Sequence, residues 1–169
     1  MTDIANRLAR DLEQYDGRAI TLLSECYARH ASKPGFVDGL IVLIGHDRDE
    51  TSDGATWMLK YHCEQSSPLA KGYTKQLIEK LGSIHSWQSC LHVCQCADYF
   101  EVSIEDAQIY AEWLAPLTIH QRPFIRAWSM HALCRLAEQH DQFSSLATKA
   151  KQNALNDPAS SVRARARNI

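Results

Sequence analysis

The sequence predicts an all-α protein made of about five antiparallel helical hairpins. Apolar residues recur every three or four positions along almost the whole chain, which is the spacing of one face of a helix. No segment alternates apolar and polar residues convincingly, as a half-buried strand does. The seven glycines and five prolines among the 169 residues are few and dispersed, which favours helices over many short strands.

Ten helices are predicted in chain order, each from an apolar stripe and from the residue types at its ends. Ile4, Leu8 and Leu12 form the stripe of the first helix, which ends before Gly17. The third helix is apolar on most sides, so its neighbours should enclose it, and Gly45 should terminate it. The predicted ranges are 4–15, 18–31, 36–44, 51–66, 68–81, 84–97, 103–115, 123–136, 143–155 and 158–169.

Prolines and capping residues predict where several later helices begin and end. Pro68 and Pro123 are each expected in a first helical turn, where a missing amide hydrogen costs nothing. Ser103 with Asp106 three residues later resembles a capping box and should open the seventh helix. Pro116 is expected to stop that helix.

Two segments near the C-terminus repeat one pattern 37 residues apart, namely 125–127 (Ile-Arg-Ala) and 162–164 (Val-Arg-Ala). Asp157 and Pro158 precede the second of them. Asp is suited to cap a helix and Pro to occupy its first turn, and Arg163 can fold back to bond the turn.

The segment 157–166 resembles the start of the second helix of a HEAT repeat. The chain, residues 1–169, is therefore interpreted as a single domain of the HEAT-like (armadillo-type) family. That resemblance implies an α–α superhelix, an α-solenoid in which each hairpin of about 34 residues buries its apolar face against the next. It also implies that the second helix of each hairpin lines a concave surface.

Composition and hydropathy predict where this protein resides. A net charge of −2 with 45% hydrophobic residues is typical of a soluble globular protein. The longest apolar stretch, residues 40–44, is far shorter than the about 20 residues that span a bilayer. No basic-then-apolar leader opens the sequence, so we expect a cytoplasmic protein with reduced cysteines and no membrane association.

The densest cluster of soft metal ligands is Cys90, His92, Cys94 and Cys96. On a helix, Cys90 and Cys94 share a face while the other two point elsewhere, so the four groups do not converge on one ion. We interpret these cysteines as helix packing and expect no metal site. A metal or redox role remains the alternative.

No other pattern in the sequence carries catalytic chemistry. None of the eight histidines belongs to a metalloprotease or nucleophile motif, and there is no glycine-rich phosphate loop. We therefore expect a non-enzymatic protein without a cofactor. The four tryptophans lie in apolar stripes and are interpreted as core residues, with partial exposure on the concave side as the alternative; they are Trp57, Trp87, Trp113 and Trp128.

Charge is distributed unevenly along the chain. Residues 98–118 carry a charge of −5 and residues 143–169 a charge of +4. Solvated faces explain both, and the alternative is a basic C-terminal edge, Arg163, Arg165 and Arg167, that meets an acidic partner.

The last helix also carries a short apolar stripe, Val162, Ala166 and Ile169. No further helix follows to cover the outer face of the last hairpin, and an uncapped repeat end favours association. We therefore predict a homodimer, or a partner, at this C-terminal edge.

The function predicted from the sequence is that of an interaction scaffold that binds a protein partner on its concave surface. A second hypothesis is nucleic-acid binding, because the resemblance extends to DNA alkylation repair glycosylases built from HEAT-like repeats, although a basic stripe is lacking. A third is a lyase-like HEAT protein that acts on a bound cofactor. The candidate concave residues are Lys60, Gln88, His92, Gln95, Arg122, Arg126 and Arg135.

Overall fold

The computed structural model describes residues 2–66 and 69–169, and within these ranges it contains ten α-helices and no β-strand. The all-α prediction is confirmed. The helices are α1 (Asp3–Leu12), α2 (Ile20–His30), α3 (Phe36–Leu43), α4 (Asp49–Ser66), α5 (Lys71–Lys80), α6 (Trp87–Gln95), α7 (Ile104–Leu117), α8 (Pro123–Gln139), α9 (Ser144–Leu155) and α10 (Ser160–Arg167). None of these helices combines the length and apolar character needed to cross a membrane.

The helices pack in two sets that follow chain order. The even-numbered helices contact one another in succession: α2 packs on α4, α4 on α6, α6 on α8, and α8 on α10. Among the odd-numbered helices, α1 packs on α3, α3 on α5, and α5 on α7. Buried apolar side chains contributed by both sets form one contiguous cluster that extends from Leu8 to Ala166.

Several helix ends lie where capping residues place them. Ser103 Oγ accepts the Asp106 amide hydrogen at 3.2 Å, so Ser103 is the N-cap of α7, as predicted; the Asp106 carboxylate accepts from the Ser103 hydroxyl at 2.8 Å instead of from the Ser103 amide of a full capping box. Gly45 follows α3 with a φ of +75°, and a Cβ there would lie 2.0 Å from Ser83 Oγ. Helix α8 begins at Pro123, as predicted.

Other helix ends differ from the prediction. Helix α7 continues through Pro116 to Leu117, so the expectation that this proline stops the helix is wrong. A proline in a final turn removes only one helical hydrogen bond, here to the Glu112 carbonyl. The amides of residues 118–120 then close the end, each donating to the carbonyl oxygen three residues before it.

Three helix starts are also displaced. Helix α4 begins at Asp49, where two first-turn carboxylates interact favourably with the positive end of the helix dipole. Helix α6 begins at Trp87, after its N-cap, Ser86. Helix α10 begins at Ser160, so Asp157 and Pro158 precede it and Asp157 is not its cap. The predicted start at Pro68 lies outside the described residues.

Arg126 and Arg163, 37 residues apart, make the same contacts with their turns. Nη1 of each donates to the carbonyl oxygens six and five residues before it, at 2.8 and 3.1 Å for Arg126 and at 2.6 and 2.9 Å for Arg163. Each arginine thus closes the turn before its own helix, which confirms the expectation for Arg163.

Helices α4 and α6 are joined by a polar seam. Asp53 Oδ1 accepts the Ser89 amide hydrogen at 3.0 Å and the Ser89 hydroxyl hydrogen at 2.7 Å. Thr56 Oγ1 lies 3.1 Å from His92 Nδ1. Burial raises the pKa of Asp53, although hydrogen bonds from serines lower it in part, and burial also lowers the pKa of His92 to about 3. These satisfied polar groups fix how the two helices align.

Candidate binding surface

The free sides of α4, α6, α8 and α10 adjoin one another because these helices pack in succession. On each helix the exposed and partly buried residues recur at helical spacing, whereas most other positions are buried. We call this surface the even-helix face. It comprises Trp57, Lys60, Tyr61, Gln88, Leu91, Gln95, Phe124, Trp128, Arg135 and Arg165.

Two arginine–tryptophan pairs lie on this face or at its margin. The Arg165 guanidinium lies 3.5 Å from the centroid of the Trp128 ring, and the Arg122 guanidinium lies 4.1 Å from that of Trp87. Trp87 on α6 pairs with Arg122 just before α8, and Trp128 on α8 pairs with Arg165 on α10, so each pair joins one even helix to the next. Such cation–π contacts hold a flat aromatic surface and a cation in fixed positions that remain partly accessible.

The tryptophans are less buried than the sequence suggests. Trp57, Trp113 and Trp128 pack against the core but stay partly exposed, and Trp87 is 37% exposed, so its interpretation as a core residue is wrong. Trp57 also stacks on Tyr61 with ring centroids 5.2 Å apart and planes 7° apart. Partial exposure is therefore a property of the whole tryptophan set.

A polar cleft of about 540 Å³ opens where the N-terminal ends of α4, α6 and α8 meet the loop before α2. The Asp16 carboxylate in this loop accepts the amide hydrogens of Arg18 and Ala19, both at 2.9 Å, and these bonds lower the pKa of Asp16. The cleft carries charges of both signs at the edge of the even-helix face. Its charged lining includes Asp16, Arg18, Asp49, Glu50 and Arg122.

Five of the predicted concave residues lie on the even-helix face or at the cleft: Lys60, Gln88, Gln95, Arg122 and Arg135. Two of them are held by neighbouring carboxylates. Lys60 Nζ lies 2.7 Å from Glu64, and Arg135 lies 2.6 Å from Asp98 and 2.8 Å from Glu138. The pairs of Arg135 are exposed and contribute little to stability, so Arg135 can exchange partners, whereas the Lys60 side chain is only 17% exposed.

The structure places the other two predicted concave residues in internal contacts. His92 belongs to the polar seam between α4 and α6. Arg126 is bound by its own turn and by the Asp157 carboxylate at 2.6 and 2.8 Å, with only 15% of its side chain exposed. Arg126 is thus occupied by internal contacts, whereas His92 is partly exposed and uses only Nδ1 in the seam.

The three arginines of the basic C-terminal edge also differ in how many internal contacts they make. Arg163 is bound to carbonyl oxygens of its turn, Arg165 covers Trp128, and Arg167 is exposed. The apolar stripe of α10 is not open, because Val162 and Ala166 are fully buried within the chain. Association through this edge stays a prediction, but those two side chains are not available for it.

The cysteine cluster forms part of the core. Cys90, Cys94 and Cys96 are buried, and all six cysteines of the chain are free thiols. Burial raises the pKa of Cys90 to about 11 and that of Cys94 well above its usual value. His92 directs Nδ1 to Thr56 in the seam.

A different cluster, on α1 and α2, was not singled out by the sequence analysis. Asp11, Cys26 and His30 each bring one ligand atom to within 4.8 Å of the other two. The sequence alone could have indicated two of these three residues, because Cys26 and His30 are four residues apart and share a helix face. Asp11 joins them only through the packing of α1 on α2.

Comparison with known proteins adds no relative to these observations. No protein-family model, curated protein or solved structure matches this chain. The function is therefore argued from the contacts, exposure and charge of the even-helix face.

Proposed function

We propose that this protein is a non-enzymatic scaffold whose even-helix face binds an acidic segment of a partner protein. The observation that carries this proposal is the run of stacked, partly exposed aromatic rings on neighbouring helices. Trp57 lies against Tyr61 on α4, and Trp128 lies under Arg165 between α8 and α10. Trp, Tyr and Arg are the residue types most enriched among the dominant contributors to protein–protein binding.

Charge indicates which kind of segment fits. Arg122, Arg165 and Arg167 make no ion pair among the described residues, and Arg135 is shared by two exposed carboxylates. A partner carboxylate can approach an arginine that already lies flat on a tryptophan with little ordering cost. The proposed segment therefore combines acidic residues with large apolar side chains.

The same proposal includes the HEAT-like superhelix. The matching turn contacts of Arg126 and Arg163, 37 residues apart, support a repeated unit. So does the hydrogen bonding of Arg126 to Asp157, which links two successive even helices. A superhelix of such units would make the even-helix face its concave surface.

Selection from a random peptide library displayed on phage tests the binding proposal. We expect the selected peptides to be enriched in Asp and Glu beside Leu, Phe or Trp. Their binding to the purified protein should quench tryptophan fluorescence. Trp128→Ala and Arg165→Glu should each weaken binding at least about tenfold, since both remove the central cation–π pair.

Ile109→Ala is the matched control, because Ile109 is 50% exposed on the odd-numbered helix α7. It should leave the affinity unchanged. Peptides that bind Trp128→Ala and Arg165→Glu as tightly as the parent protein would contradict the proposal.

Random-sequence duplex DNA is the second arm of the test. Binding to it that falls steeply with salt and disappears in Arg165→Glu would show instead that the arginines serve a nucleic acid. Selection of acidic and apolar peptides, with no binding of DNA even at low salt, supports the scaffold.

A further inference from the structure

We propose that Asp11, Cys26 and His30 form a binding site for a divalent transition metal, with Zn²⁺ as the ion that suits the ligand set best. One carboxylate oxygen, one thiolate sulfur and one imidazole nitrogen are brought within 4.8 Å of one another. Around tetrahedral zinc, neighbouring ligand atoms lie about 3.3 to 3.8 Å apart, so small side-chain movements suffice.

Local geometry explains why these groups converge. Cys26 and His30 are one helical turn apart on α2, and both face inward, with 2% and 3% of their surfaces exposed. Asp11 lies in the last turn of α1, which packs on α2. Two ligands on a rigid helix and a third on its packed neighbour give a preorganised site.

The contacts among the three side chains already resemble those around a bound ion. Asp11 Oδ2 lies 2.7 Å from His30 Nε2, so a shared proton occupies the place where a metal would bridge the two groups. Arg29 Nη1 lies 2.7 Å from the same carboxylate and can hold it in place once the metal binds.

Binding requires a defined exchange of protons. The Cys26 thiol, whose pKa burial raises to about 11, must lose its proton to solvent, and the single proton of His30 must move from Nε2 to Nδ1 so that Nε2 can coordinate. Lys33 Nζ, which lies 3.1 Å from His30 Nδ1, must then turn toward solvent. One thiolate and one carboxylate balance the charge of the divalent ion.

The site also has an opening. A cleft of about 450 Å³ runs along the α1–α2 hairpin and is lined by both Asp11 and Cys26. Gln14 and Glu25 line the same cleft, which opens the site to solvent, so the fourth coordination position can take water. Thiolate, imidazole and carboxylate together are typical of zinc sites and disfavour calcium and magnesium.

Titration of the reduced protein with Co²⁺ tests this proposal. We expect one ion per chain, a thiolate-to-cobalt charge-transfer band in the near ultraviolet, visible bands of a tetrahedral complex, and loss of both on addition of Zn²⁺. Cys26→Ser should abolish the charge-transfer band, and Asp11→Asn should weaken binding at least about tenfold.

Cys134→Ser and Cys90→Ser are matched controls, because they remove buried thiols outside the cluster. Circular dichroism establishes that each variant is folded, and a rise in the melting temperature of the reduced parent protein on addition of Zn²⁺, absent in Cys26→Ser, gives a second readout. A charge-transfer band that persists in Cys26→Ser, or the lack of any such band and of any rise in melting temperature in the parent protein, overturns the site.

Discussion

Arg126 donates two hydrogen bonds to the Asp157 carboxylate, from Nε to Oδ2 at 2.6 Å and from Nη2 to Oδ1 at 2.8 Å. The side chains are 15% and 10% exposed, so this forked pair is shielded, unlike the pairs on the surface. It joins the first turns of α8 to the turn before α10. Arg126 also closes its own turn, so one guanidinium connects two successive even helices.

Arg126→Met should therefore lower the free energy of unfolding by about 2 kcal/mol, because it leaves a shielded carboxylate without its main donors. The hydrogen bond from Arg126 lowers the pKa of Asp157. The stabilisation is thus present above the unfolded pKa of about 3.9 and is lost as pH falls through the lower folded value. Denaturant unfolding at pH 7 measures the loss.

Arg135→Met is the control on the same helix. Arg135 pairs with carboxylates at the surface and should cost less than about 1 kcal/mol. If both variants lost the same unfolding free energy, the shielded Arg126–Asp157 pair would stabilise the protein no more than the surface pairs of Arg135 do.

The partly buried histidine of the polar seam, His92, predicts how stability depends on pH. The folded pKa of His92, about 3, lies below the unfolded value of about 6.5, so the unfolded chain binds a proton that the folded chain does not. Stability is therefore intact above pH 6.5 and falls by up to about 1.4 kcal/mol for each unit below it. Denaturant unfolding between pH 7 and pH 5, a range of about two units, follows this loss.

His92→Gln should flatten that dependence, since it removes the proton acceptor but can still hydrogen-bond to Thr56. His85→Gln changes an exposed histidine and should leave the slope as it was. The pKa values of His62 and His131 are also lowered by burial, so part of the slope should remain. An unchanged slope in His92→Gln contradicts the assignment.

Two helical glycines should respond in opposite directions to alanine. A Cβ at Gly54 would lie 2.5 Å from Leu12 Cδ2 and 3.1 Å from Leu23 Cδ2, and both leucines are fully buried. We expect Gly54→Ala to cost about 1 to 3 kcal/mol through overpacking.

At Gly72, on α5, nothing lies within 4 Å of an added Cβ. Gly72→Ala should raise stability by about 0.5 to 1 kcal/mol, because alanine loses less backbone entropy in a helix. Thermal and denaturant unfolding of both variants compare them directly. If both substitutions changed stability in the same direction, the close packing of Gly54 against Leu12 and Leu23 would be contradicted.

The cysteines of α6 should react slowly with thiol reagents. The pKa of Cys90 is raised to about 11 by burial, and Cys94 is fully buried. At pH 8, a value about three units below that pKa, labelling of these thiols should be at least about a hundredfold slower than in denaturant. Mass spectrometry of the labelled peptides measures each rate, and rapid native labelling of Cys90 would favour the redox alternative.

Local signals in the sequence were sufficient to predict the number and approximate positions of the helices. Apolar periodicity predicted ten helices, and the N-cap at Ser103 and the terminator at Gly45 lie where predicted, because these interactions involve residues a few positions apart. Pro116 was misjudged because the cost of a proline depends on how much helix follows it. Most errors displaced a helix end by a few residues.

Tertiary structure alone decided which residue each polar side chain contacts. The sequence placed Lys60, Arg122 and Arg135 on the candidate surface as readily as His92 and Arg126, since all five lie on or beside even helices. Only the packing of α4 on α6 and of α8 on α10 turns the last two inward, toward Thr56 and Asp157. Asp11, fifteen and more residues from Cys26 and His30, meets them for the same reason. Helix periodicity depends on neighbours in the chain, whereas the contacts of a polar side chain depend on which distant helix packs beside it.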